Sequence, residues 1–136
     1  MKPLHPVSLH PGRFLARLLA FRFASRVASA AQPAAEIETL LGYLKNLDGA
    51  VFIRNGSEHT AAEGEAHLRM KWERQAEKIK TAEDFILLCG SMSSQSGQKY
   101  QIRFKDGTLQ YSDEVLTKQL GEIRKTAATR ARPGSG

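Results

Sequence analysis

Between Arg54 and Tyr100 this 136-residue chain gathers the side chains whose types and spacing could do chemistry. Ser91, Ser93, Ser94 and Ser96 stand with Gly97 in one short stretch, a composition able to form a nest of backbone N–H groups and hydroxyls around an anion. Ser96-Gly-Gln-Lys99 also matches S-x-x-K, in which a lysine can activate a serine nucleophile. The companion S-D-N and K-T-G elements are missing, and so is the G-x-x-x-x-G-K-[ST] spacing of a phosphate loop. The bland reading stands first: a Ser-rich turn that closes one helix and leads into a strand. His59, Glu63 and His67 are spaced by four, and imidazole with carboxylate suits zinc. Thr60 caps the helix they would need to share, so His59 falls outside it, and Glu63 is engaged in the cap. No metal site and no cofactor are therefore expected. His67 reads as a hydrogen-bonded, partly buried histidine. Arg54 can pair with Glu58 across a hairpin or point at a ligand carboxylate or phosphate. The candidate contact residues are Arg54, His67, Ser93, Ser94, Ser96 and Tyr100, and no residue is assigned a catalytic role.

Those residues need elements to position them. From Glu36 to Leu47 the apolar residues Ile37, Leu40, Leu41, Leu44 and Leu47 follow the i, i+3, i+4, i+7 spacing of a helix with one buried stripe. Ala50–Ile53 is β-rich, and Asn55-Gly56 best tolerates the positive φ angles of a two-residue hairpin turn. The return strand, Ser57–His59, is short and polar, which fits an edge. Thr60-Ala61-Ala62-Glu63 is a capping box, and the helix it starts is expected to reach about Lys78. Leu68, Trp72, Gln75, Ala76 and Ile79 make its buried face, while Glu63, Arg69, Lys71, Glu73, Arg74, Glu77 and Lys78 read as a solvated one. Thr81 caps a third helix, Ala82 to about Cys89, with Phe85, Leu88 and Cys89 inward. Tyr100–Phe104 and Thr108–Tyr111 form a second hairpin around Asp106-Gly107. Ser112 caps a last helix on which Leu116, Leu120 and Ile123 share a stripe. The expected fold class is α+β: one small domain over 36–125, about four helices packed on short antiparallel hairpins, followed by a disordered tail over 126–136.

Charge divides the chain unevenly. Five of the 20 basic residues (Lys2, Arg13, Arg17, Arg22 and Arg26) and none of the 14 acidic ones lie in residues 1–35. Residues 36–136 thus hold 15 basic against 14 acidic side chains, a net +1. A nucleic-acid partner is not expected, because it needs a basic footprint on the folded body itself. The first 30 residues have a basic start, an apolar stretch from Phe14 to Val27 and Ala28-Ser29-Ala30, an A-x-A-type site. That pattern resembles an export signal cleaved near Ala30, which would place the protein in the periplasm or outside the cell. The arginines within the stretch also fit a transit peptide or a helix lying on a membrane surface. No run reaches the roughly 18–20 apolar residues of a membrane span. Cys89 is the only cysteine, so no intramolecular disulfide can form. Its neighbours Phe85–Leu88 mark it as a small buried hydrophobe and not a nucleophile.

Four blocks in fixed order, F-I-R-N-G-S-E-H-T at 52–60, H-L-R-M-K at 67–71, K-T-A-E-D-F-I at 80–86 and S-S-Q-S-G-x-x-Y at 93–100, carry a resemblance. Over about Glu36 to Leu120 the chain resembles the YfeK-like family of small exported bacterial proteins of unknown function. The resemblance implies a periplasmic α+β domain and supplies no activity. Relatives read S-G-K-P-Y or T-G-K-P-Y at the end of the serine loop, whereas Gln98-Lys99 stand before Tyr100 here. With no cofactor motif, metal set or complete triad, the sequence points to a non-enzymatic binding or interaction module of the cell envelope. Its partner, an envelope protein or a small ligand, and its oligomeric state are not readable. The rival reading is a small hydrolase in which Ser94 or Ser96 attacks and His67 serves as base. That rival requires the serine loop and His67 to converge to hydrogen-bond reach.

Overall fold

A computed structural model describes residues 33–131. The export-signal reading of residues 1–30 and the last residues of the expected tail lie outside them. Helix α1 (Pro33–Lys45) begins three residues before the sequence pattern required and buries Ile37, Leu40, Leu41 and Leu44. Strands β1 (Val51–Arg54) and β2 (Ser57–Thr60) form the expected hairpin. Asn55 (φ 52°) and Gly56 (φ 78°) both take the left-handed conformation that this tight turn demands. Helix α2 (Ala61–Arg74) starts from the Thr60 capping box, in which Thr60 Oγ1 accepts from the Glu63 N–H and Glu63 Oε1 accepts from the Thr60 N–H.

Helix α2 is shorter than expected. It ends at Arg74, and a 3-10 turn over Ala76–Lys78 carries the chain to Ile79. Thr81 and Asp84 then close a second capping box at the start of α3 (Ala82–Leu88). Strands β3 (Gln101–Arg103) and β4 (Leu109–Tyr111) form the second hairpin. Helix α4 (Ser112–Arg130) differs from expectation at both ends. Tyr111 is its N-cap, and Ser112 is already helical and fully buried, its hydroxyl without a partner among the described residues. At the far end, residues 126–130, expected in a disordered tail, continue the helix with exposed side chains.

The four strands make one antiparallel sheet in the order β2-β1-β3-β4. Register decides which side chains meet the helices. Phe52 pairs with Ile102 across β1 and β3, and both are 1% exposed. Alternation along a strand then places Val51, Ile53, Gln101 and Arg103 on the opposite face, where all four are half-exposed. The four helices supply the rest of one core: the α1 stripe, Leu68, Phe85, Ile86, Cys89, Val115, Leu116 and Leu120, closed over Phe52, Tyr100 and Ile102. Trp72 is half-buried, edge-on to Phe85 at 6.0 Å between ring centres. The protein is a small single α+β domain, as the pattern required.

Two arginines tie the helices together at the surface. Arg69 on α2 bridges Glu38 of α1 and Glu65 of its own helix, each at 2.9 Å. Arg124 on α4 reaches Glu36 of α1 at 3.0 Å and Glu83 of α3. Helix α2 lies tight against the sheet at Gly64, where an added Cβ would stand 2.5 Å from Cγ of Phe52. Only glycine permits that approach, which sets how deeply the next turns of α2 lie over the sheet.

Candidate functional site

Two turns of α2 carry the polar side chains that look down onto the sheet. His67 and Lys71 are four residues apart and so share one side of the helix. Both reach one oxygen: His67 Nε2 lies 3.1 Å from the Tyr100 hydroxyl, and Lys71 Nζ donates to it at 3.1 Å. Lys71 also donates to the Met92 carbonyl at 2.8 Å. The sequence reading put Lys71 on a solvated face; it is in fact 6% exposed, and Tyr100 beneath it 1%. Burial pushes the Lys71 ammonium below its ordinary pKa and the Tyr100 hydroxyl above its own. His67 is held down to about 4 from the usual 6.5, first by burial and then by the positive charges of Arg54, Lys71, His59 and Arg74.

The direction of the His67–Tyr100 hydrogen bond follows from the tautomer of the imidazole. An ammonium only donates, so the Tyr100 oxygen accepts from Lys71 and has its own proton to give away. His67 Nε2 is the acceptor within reach, which agrees with a neutral imidazole. In that tautomer the other ring nitrogen, Nδ1, carries the imidazole proton, and it has no hydrogen-bond partner among the described residues.

Arg54 is the last residue of β1. It shares its strand face with Phe52, and the Phe52–Ile102 register continued by two residues sets it opposite Tyr100. The expected pairing with Glu58 does not form. Glu58 sits across from Ile53 and so belongs to the other face of the sheet, where it bonds Arg103 at 2.9 Å.

The serine loop is held by its own backbone. Ser93 Oγ accepts from the N–H groups of Gln95 and Ser96, Ser96 Oγ accepts from the Gln98 N–H, and the N–H groups of Ser93 and Gly97 bond Gln98 and Ser93 carbonyls. The N–H groups of Ser93, Gln95, Ser96, Gly97 and Gln98 are thus spent inside the loop. Asn55 clasps that loop from the β1–β2 turn, its Nδ2 donating to Ser93 Oγ at 3.3 Å and its Oδ1 accepting from Ser96 Oγ. Ser94 is exposed, and Ser91 donates to Asp113 at 3.2 Å. Lys99 is 3.0 Å from Asp113 and 4.5 Å above the Tyr111 ring. The Asp113 hydrogen bond raises the Lys99 pKa, the wrong direction for a base that would activate Ser96. Among the described residues no serine of the loop bonds His67, so the nucleophile–base pair of the hydrolase reading is not assembled.

The structure therefore brings Arg54, His67 and Tyr100 together with Lys71, which pattern reasoning missed because a charged residue on an amphipathic helix reads as solvated. Ser93 and Ser96 join them only through Asn55. His59 lies on β2 with Nδ1 3.8 Å from Glu63, and Cys89 is fully buried, its thiol pushed up to about 11 by that burial. Three surface clefts, of about 380, 400 and 410 Å³, lie elsewhere, and none includes Arg54, His67, Lys71 or Tyr100.

Residues 31–124 match the model of a family of unknown function, DUF5329. The chain belongs to this family. DUF5329 membership covers α1 through most of α4 and so takes in the whole polar cluster. A relative, the uncharacterized protein YfeK of Salmonella typhimurium, is 38% identical over 66 residues, 48% of this chain and 55% of that protein. The match thus spans about half of each. No solved structure matches.

Proposed function

We propose that this DUF5329 protein is a non-enzymatic binding module of the cell envelope, reached by export through its N-terminal segment. Its contact surface is the end of β1 at Arg54 with the clasped serine loop beside it. One observation carries the reading. Arg54 is half-buried and free of any ion pair among the described residues, next to the hydrogen-bonded Tyr100–His67–Lys71 cluster. Half-buried charge without a partner is a feature that folding alone does not favour. Most side chains that could serve as nucleophile or base are instead committed to structure: Ser93 and Ser96 to their loop, His67 to Tyr100 and Lys99 to Asp113, while Ser94 is exposed with no bond to His67 among the described residues.

The test compares wild type with the Arg54→Ala/Ser94→Ala double variant, both exposed enough to leave the core intact. Each is used to capture partners from envelope extracts, with Lys125→Ala as a surface control. A partner retained by wild type and the control but lost from the double variant supports the module. Identical partners for all three chains end it. Fractionation of cells making the full chain, with mass spectrometry of its N-terminus, checks the location. Recovery in the cytoplasm with residues 1–30 intact would remove the envelope from the proposal.

A further inference from the structure

We infer that Arg54, together with the Nδ1–H of His67 and the positive charge of Lys71, forms a site for the terminal oxyanion of a ligand, a carboxylate or a phosphate monoester. The inference rests on the contact surface proposed above and names its chemistry. Arginine comparison comes first. Arg54, Arg69 and Arg103 are the half-buried arginines of the described residues. Arg69 and Arg103 each hold a glutamate at 2.9 Å, while Arg54 holds none. A guanidinium presents a planar fork of N–H donors that matches two oxygens of a carboxylate or phosphate, and here that fork is unfilled.

Charge is the second argument. The charged groups acting on His67 are Arg54, Lys71, His59 and Arg74, all basic. The acids of the neighbouring elements are engaged elsewhere: Glu58 with Arg103, Glu63 with the Thr60 N–H and near His59, and Glu65 with Arg69. Next to the neutral His67, helix α2 adds two fixed positive charges, Lys71 and Arg74, three residues apart. Like charges gathered at a half-buried surface repel one another, and a bound anion relieves that repulsion.

Donor geometry is the third. With Nε2 accepting the Tyr100 proton, His67 keeps its Nδ1–H as a neutral donor not used by any bond among the described residues. The serine loop is a poorer nest, because five successive or near-successive amides, those of Ser93, Gln95, Ser96, Gly97 and Gln98, are satisfied internally. The anion therefore sits over Arg54 and His67 and not within the loop where the sequence pattern placed it.

The full chain is titrated near neutral pH with sodium phosphate or sodium acetate replacing sodium chloride at constant ionic strength. The probe is NMR of the His67 ring protons and the Tyr100 amide. A saturating shift with phosphate assigns a phosphate monoester, and one with acetate assigns a carboxylate. Arg54→Gln is expected to weaken that response about tenfold or more, the usual cost of losing one charged hydrogen bond. Arg54→Lys keeps the charge without the fork and loses less. No saturating response to either anion overturns the site, as does a wild-type response from Arg54→Gln with an otherwise unchanged spectrum. Partner capture that depends on Arg54 while neither anion saturates would leave the binding module standing and discard the oxyanion chemistry alone.

Discussion

The Tyr100 hydroxyl holds two nitrogens at once, and that makes it the most consequential single group in the cluster. Tyr100→Phe keeps the ring against Phe52, 5.1 Å between centres, but leaves the buried Lys71 ammonium and His67 Nε2 short of a partner. The expected loss is about 1–3 kcal/mol of stability, read by urea unfolding, with no change in secondary structure. His67 gives a pH signature with a definite sign. Its folded pKa of about 4 lies below the usual 6.5, so above pH 6.5 it is neutral in both states and contributes nothing. As pH falls from 6.5 towards 4 the unfolded chain takes up a proton that the folded one refuses, and stability drops across that window. His67→Gln should flatten this part of the stability profile, and a slope equal to wild type would show that the histidine titrates normally.

At the scale of elements, α2 and β1 meet tightly where Gly64 faces Phe52. Gly64→Ala adds a methyl group 2.5 Å from Phe52 and must lift the helix, so a cost of about 1–3 kcal/mol is expected despite alanine's better helix propensity. Because Gly64 sits one turn before His67, the same substitution should disturb the Tyr100 hydrogen bonds, visible in the His67 ring signals. An unchanged melting temperature would mean that Phe52 simply rotates away. The turns, the two capping boxes and the apolar stripes were legible in sequence because each depends on residues within four positions of one another. What was not legible depended on tertiary register. Arg54 and Glu58 look like hairpin partners until the pairing of Ile53 with Glu58 puts the glutamate on the other face. Lys71 reads as solvent-facing until Tyr100 and Met92, more than 20 residues away, supply oxygens for it. The serine loop carried the composition of an anion nest, but composition does not reveal that Asn55 and the loop's own amides fill it. At α4 the cap falls one residue earlier than Ser112, since Ser112 is taken into the core and its N–H bonds the Tyr100 carbonyl.

For the molecule as a whole, the core is continuous from α1 to α4 and contains no disulfide, the lone thiol being sealed in it. Among the described residues no helix is long and apolar enough to cross a membrane. Leu40, fully buried in α1, tests how far the core acts as one unit. Leu40→Ala should cost about 2–5 kcal/mol and still unfold in a single transition, followed by denaturant titration with two spectroscopic probes. Two non-coincident transitions would divide the helices from the sheet. The strand order β2-β1-β3-β4 has a further consequence, in time. Each hairpin closes locally through a tight turn, but the middle of the sheet joins β1 to β3 only after α2, α3 and the serine loop have been gathered between them. Loop-closure entropy makes that central pairing the slow event, so the Phe52–Ile102 contact belongs to the folding barrier, while the two capping boxes form locally within the segment it closes.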